Sequence, residues 1–186
     1  MRGYSLDLAK QALTQAALSY DIKSLNKADI DKNIQNASPG AGCDLVLDVR
    51  KGSELEKFLV LSTAIYQLNY DAVYDWERFM TGIGAKTVAD LNKMAVCGID
   101  GYDYGALAKQ VKIKRLGTIK DAMFELKHKE CDVFVAEAAV MKYGQRANTY
   151  QVPPVGCVRL DGTVRSYHIG VARRVPAAEA VMAKIG

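Results

Sequence analysis

The stretch "MAVCGIDGYDYGALAKQ", Met94 to Gln110, decides how the rest of the chain is read. Met94 to Ile99 is a short apolar run of the kind that forms a buried strand. Asp100, Gly101, Tyr102, Asp103, Tyr104 and Gly105 follow, and Tyr104 to Val111 then reads as a helix. Hydrogen-bonding groups gathered where a strand hands over to a helix fit an open α/β sheet, whose ligands lie beyond the carboxyl ends of strands. Backbone N–H groups at a helix start near Tyr104 to Ala106 would hold an anion such as a carboxylate. Gly101 and Gly105 would let the backbone approach it closely. Tyr102 and Tyr104 would supply a stacking face and hydroxyls. The same residues also suit a plain glycine turn with a surface tyrosine and a capping Asp103.

The alternation of strand and helix continues on both sides. Leu6, Ala9, Leu13, Ala16, Ala17 and Tyr20 recur on one face, which predicts a helix over Ser5–Tyr20. A weaker helix over Lys27–Asn36 stops at "SPGAG", Ser38 to Gly42. "CDLVLDV", "FLVLSTAIY" and "CDVFVAE" read as strands, and "VKIKRL" alternates strictly. "TIKDAMFELKHK" is an amphipathic helix with Thr118 as its cap. The pattern predicts an α/β fold with mainly parallel sheets. An internal echo points to two lobes of similar topology. "GYSLDLAKQ" and "GYDYGALAKQ" each open a helix, and "CDLVLDV" and "CDVFVAE" follow them in the same order.

The bulk properties exclude some classes. Over 186 residues the net charge is only +4, and the one tight basic cluster, Lys112, Lys114 and Arg115, reads as a solvated face. No nucleic-acid partner is expected. No apolar run approaches the roughly 18 residues a membrane-spanning helix needs, so no membrane insertion is expected. Four cysteines (Cys43, Cys97, Cys131 and Cys157) lack metal-ligand spacing, and their pairing is open. The two histidines, His128 and His168, read as solvated and packed, respectively. No nucleophile–histidine–acid set and no phosphate or dinucleotide loop is visible, so no cofactor and no catalysis are expected.

Six segments in order resemble the extracellular solute-binding proteins of the polar amino acid class, which have the type 2 periplasmic binding fold. They are Gly3–Leu8, Gly42–Leu47, Gly52–Tyr66, Gly101–Gly105, Glu130–Glu137 and Tyr167–Arg173. The resemblance implies two lobes, 1–75 with 155–186 and 76–154, crossing near "YDAVYD" and "YQVPPV". It implies a small polar ligand, an amino acid or related carboxylate, held between the lobes without chemistry. An ABC permease or a sensor protein would be the partner, in the periplasm or outside the cell. It places ligand contacts at Arg50, Gly52, Ser53, Gly101, Tyr102, Asp103, Tyr104 and Glu137. Where relatives carry an arginine for the ligand carboxylate this chain has Leu55, and Arg50 is the nearest replacement. Trp76 is expected in core or hinge packing. Relatives have a strand before the first helix and a longer helical tail, so the fold is expected to be shortened at both ends. The alternatives are a cytoplasmic ligand-sensing domain of the same fold and a degenerate relative with dehydratase-like activity.

Overall fold

The computed structural model describes residues 3–25, 27–36, 42–147 and 153–186. In chain order the elements are α1 (Tyr4–Gln15), α2 (Lys27–Asn36), β1 (Leu45–Arg50), β2 (Leu59–Leu61), β3 (Tyr66–Leu68), β4 (Asp71–Asp75) and β5 (Val96–Ile99). Then come α3 (Leu107–Gln110), β6 (Ile113–Leu116), α4 (Ile119–Lys127), β7 (Val133–Ala136), α5 (Ala138–Arg146), β8 (Val155–Arg159), β9 (Arg165–Ala172) and α6 (Ala178–Ile185). The chain divides into two compact units, Met1–Gln67 with Arg165–Gly186, and Leu68–Val164.

In the first unit β9 lies between β1 and β2 and is antiparallel to both, with β3 also paired to it. Its residues alternate between two apolar layers. Ile169 and Val171 pack with Ala9 of α1 and with Ala178, Met182 and Ile185 of α6. Ala172 packs on the other side with Val46, Val49, Leu59 and Ile34. Gly170 sits where a Cβ would come within 2.8 Å of the Leu59 side chain, so this strand and β2 approach more closely than any larger residue allows.

Helix α1 ends five residues before the periodicity suggests. Ala17 adopts a left-handed backbone, φ 55°, and donates its N–H to the Thr14 carbonyl at 3.1 Å, while the Leu18 N–H reaches Leu13 at 3.0 Å. These two bonds make a Schellman stop, a position glycine fills without the steric cost an alanine Cβ carries. Ala17→Gly is expected to stabilise the chain by about 1 kcal/mol, read as a higher urea midpoint with unchanged slope. The expected stop of α2 at Ser38–Gly42 falls mainly on residues outside those described.

In the second unit the sheet order is β6-β5-β7-β4-β8. β5 is parallel to β6 and β7, whereas β4 is antiparallel to β7 and β8. The second unit's sheet is therefore mixed and β9 is antiparallel to both β1 and β2 in the first, so the sheets are not mainly parallel. Parallel pairs arise where helices connect the strands, as α3 and α4 do between β5, β6 and β7, and among the described residues no helix leads from β3 into β4 or from β8 into β9. The division also falls elsewhere than near residues 75 and 155. β4 pairs with β8 from Asp71 to Asp75 and with β7 from Asp71 to Val73, which fastens both strands to the second unit. The expected crossing at "YQVPPV" begins on residues outside those described. Helix α4 starts at the predicted cap. The Thr118 hydroxyl accepts from the Asp121 N–H at 3.2 Å, and the Asp121 carboxylate accepts from the Thr118 N–H at 2.8 Å. Its Ala122, Met123 and Leu126 bury against Val73, Cys97 and Phe134. Cys97 and Cys131 are joined in a disulfide, and Cys43 and Cys157 carry free thiols.

Candidate functional site

The segment after β5 is a tight, exposed turn. The Tyr102 N–H donates to the Ile99 carbonyl at 3.3 Å, and Gly101 supplies the positive φ of 74° that the turn requires. The Arg115 guanidinium donates to the Tyr102 carbonyl at 2.8 Å, and the Tyr70 hydroxyl to the Asp103 carbonyl at 2.8 Å. Asp103 accepts from the Gly105 N–H at 2.7 Å, which makes a local Asx turn. Gly101, Tyr102 and Asp103 are thus presented at the surface, with Tyr102 47% exposed.

Tyr104 and the helix start depart from expectation. Tyr104 is 2% exposed; its hydroxyl accepts from the Ile99 N–H at 2.7 Å and donates to the Val135 carbonyl at 3.3 Å. Its ring fits into the space left by Gly98, where a Cβ would lie 2.8 Å from it. Tyr104 is a core residue that holds the turn, not a surface that meets ligand. The helix begins at Leu107 and has four residues, so Tyr104 to Ala106 form a turn and offer no row of helix N–H donors. Glu137 lies half-buried between β7 and α5, and its carbonyl accepts from the Val140 N–H at 2.9 Å. The carboxylate at the head of α5 is that of Asp71, which accepts from the Ala138 N–H at 3.0 Å.

In the first unit Arg50 closes β1 opposite Tyr167, and its carbonyl accepts from the Ser53 N–H at 3.1 Å. Gly52 turns at φ 81° and donates its N–H to the Glu56 carboxylate at 2.6 Å. Ser53 sits half-buried at the start of the 3₁₀ turn Glu54–Phe58, with no side-chain capping bond. Leu55 packs beside Val46, Val49 and Leu59, so an apolar residue at this position completes that layer. Trp76 is 48% exposed beside Tyr74, so it is not core packing.

Sequence reading missed a second group in this unit. Asp48 lies inside β1 where the ladder shifts register, and its backbone is left-handed at φ 58°. Its carboxylate accepts from the Ser5 hydroxyl and, at 2.8 Å, from the Tyr66 hydroxyl. Tyr66 stacks on Tyr167 with ring centres 4.8 Å apart, and Tyr4 meets Tyr66 edge-on at 5.9 Å. Burial, then the bond to Asp48 and its charge, hold the Tyr66 hydroxyl above the ordinary tyrosine range. The available signal was a single acid interrupting the apolar run "LVLDV".

Both histidines are held by hydrogen bonds within the fold. His168 is buried with its ring nitrogens 2.8 Å from the Ser62 carbonyl and 2.9 Å from the Ser166 hydroxyl, and His128 caps the exposed end of α4. Among the described residues, one group of potential metal ligands converges: Cys97, Cys131 and Glu125. Both sulfurs are joined, and Glu125 pairs with Lys114 at 2.5 Å, so these donors are occupied. Among the described residues, no helix is long and apolar enough to cross a membrane.

These two units define the two-lobed α/β fold of amino acid ABC transporter substrate-binding proteins. Holo ArgBP from T. maritima is 19% identical over 98% of this chain and 76% of that one, with a TM-score of 0.67. ArtJ from Geobacillus stearothermophilus, an arginine-, lysine-, histidine-binding protein, is 13% identical over 98% and 78%, with a TM-score of 0.69. The GluR0 ligand-binding core in complex with L-glutamate is 11% identical over 99% and 82%, with a TM-score of 0.70. At these identities the likeness establishes the fold. The sequence matches no family profile and no curated protein.

Proposed function

We propose that this chain binds a small polar solute, an amino acid or a related carboxylate, and hands it unaltered to an ABC permease or a sensor protein. One observation carries the reading: nearly the whole chain superposes on proteins whose names state amino acid binding, at TM-scores of 0.66 to 0.70. The surface turn at Gly101, Tyr102 and Asp103 with Glu137 in one unit, and Arg50, Gly52 and Ser53 in the other, are the proposed contacts. Tyr104 holds the first of these groups in place from beneath. The disulfide supports a location in the periplasm or outside the cell, since such bonds persist in oxidising compartments.

A thermal-shift screen of the common L-amino acids, their amines and short dicarboxylates tests this reading. A true ligand at about a hundred times its Kd adds about 2.7 kcal/mol, a rise of several degrees in Tm. The ligand should be recovered chemically unchanged after prolonged incubation. A screen in which no solute moves Tm, or a ligand that is turned over, rejects the proposal.

A further inference from the structure

We propose that Cys97, Cys131 and Glu125 form a redox-gated metal site. It takes a thiophilic cation such as Zn²⁺ when the two cysteines are thiols, and it is closed when they are joined. The site lies wholly within the second unit and is independent of the solute-binding reading. Three pieces of backbone bring the donors together. Cys97 lies in β5 and Cys131 just before the neighbouring strand β7, with Cα atoms 6.0 Å apart. Glu125 is tied to Cys131 by the end of α4. There Lys129 turns at φ 64° and its N–H reaches the Leu126 carbonyl at 3.2 Å. The Glu125 carbonyl accepts from the N–H of Glu130 at 3.0 Å and of Cys131 at 3.3 Å. Both sulfurs and a Glu125 carboxylate oxygen consequently lie within 4.8 Å of one another.

Distance, charge and access all suit such an ion. Zinc takes thiolate sulfur at about 2.3 Å and carboxylate oxygen at about 2.0–2.2 Å, so donors this close need only small shifts to share it. Two thiolates and a carboxylate bring three negative charges. The ion brings two positive ones and Lys114, 2.5 Å from Oε2 of Glu125, brings the third. The sum is zero, as a place this deep requires, since Cys97 is fully buried and Cys131 1% exposed. Lys114 stands opposite Cys97 in the β5–β6 register and holds one carboxylate oxygen, leaving the other to ligate. The Glu125 side chain is 20% exposed, so solvent reaches the site from its side, and a water there completes four ligands. If Glu125 only paired with Lys114, it would be indifferent to the state of the cysteines. The metal reading couples the two.

That coupling sets the experiment. A phosphine opens the site. Its phosphorus gives two electrons to the disulfide and becomes the phosphine oxide with oxygen from water, and the two water protons end on the sulfurs. A bound cation then releases those protons to the buffer. The full chain carrying Cys43→Ala and Cys157→Ala, which removes the other two thiols, is titrated with Cd²⁺. Ultraviolet thiolate-to-cadmium absorption is the readout. After phosphine treatment one Cd²⁺ per chain is expected, displaced by Zn²⁺, and the untreated chain should show no band. Glu125→Gln should weaken Cd²⁺ at least about tenfold in the folded chain and leave it unchanged in urea, where only the two thiols bind. Zn²⁺ should also raise the urea midpoint of the phosphine-treated chain, followed by circular dichroism, and refold that chain where reduction has unfolded it. Absence of the band, an equal band without phosphine, equal affinity in Glu125→Gln, or a midpoint indifferent to Zn²⁺ overturns the inference.

Discussion

Alanine in place of both Cys97 and Cys131 is expected to cost the second unit about 3–4 kcal/mol of unfolding free energy. The two cysteines are 34 residues apart in sequence, and the loop they close contains β6 and α4. Closing a loop of that length in the unfolded chain removes conformational entropy on the order of that free energy. Both sites are buried, Cys97 fully and Cys131 to within 1%, so the bond also ties β5 to the start of β7 inside the core. Alanine avoids burying a new hydroxyl, which would add an unrelated penalty. Urea unfolding with and without dithiothreitol checks the argument. Reductant should lower the midpoint of the parent chain to near that of the double variant, and the double variant should not respond. A parent midpoint indifferent to reductant would remove both the clamp and the support it lends to an oxidising location.

Much of the frame was legible because it is periodic. Thr118 and Asp121 announce the start of α4, and the apolar runs around Val46, Cys97 and Phe134 announce strands. What was not legible depends on approach distances between elements. Tyr104 and Tyr102 are two residues apart in one tyrosine–glycine run, yet one is buried and the other exposed. Tyr104 is buried because Gly98, six residues earlier, leaves room for its ring. The helix after Gly105 is cut to one turn because Val111 leaves it in an extended conformation and leads into β6. Asp48 escaped notice for a related reason. Strand periodicity assumes unbroken pairing, and the register shift beside Asp48 breaks it. The even count of cysteines was visible, but the choice of Cys97 with Cys131 follows from β5 and β7 being neighbours in the sheet.

Gly156→Ala is expected to destabilise the second unit by about 3 kcal/mol, and the reason lies in one cross-strand pair. Gly156 in β8 stands opposite Tyr74 in β4. A Cβ on Gly156 would lie 2.1 Å from Tyr74 Cζ and 2.4 Å from both Cε2 and the hydroxyl, far inside any real contact. Tyr74 is 4% exposed and hemmed by Phe79, whose ring centre is 6.2 Å away, and by Trp76 at 6.5 Å. The ring cannot turn aside cheaply, and the strand pairing itself must yield, which puts the substitution at the upper end of overpacking effects. Tyr74→Leu in the same chain removes the clash. The double variant should therefore be more stable than the sum of the two single changes implies, by about 2 kcal/mol of coupling. Urea unfolding of the four species measures that coupling. An alanine variant within 0.5 kcal/mol of the parent, on the scale of ordinary surface changes, would mean that Tyr74 does not lie over Gly156 and that the register of β4 with β8 is wrong.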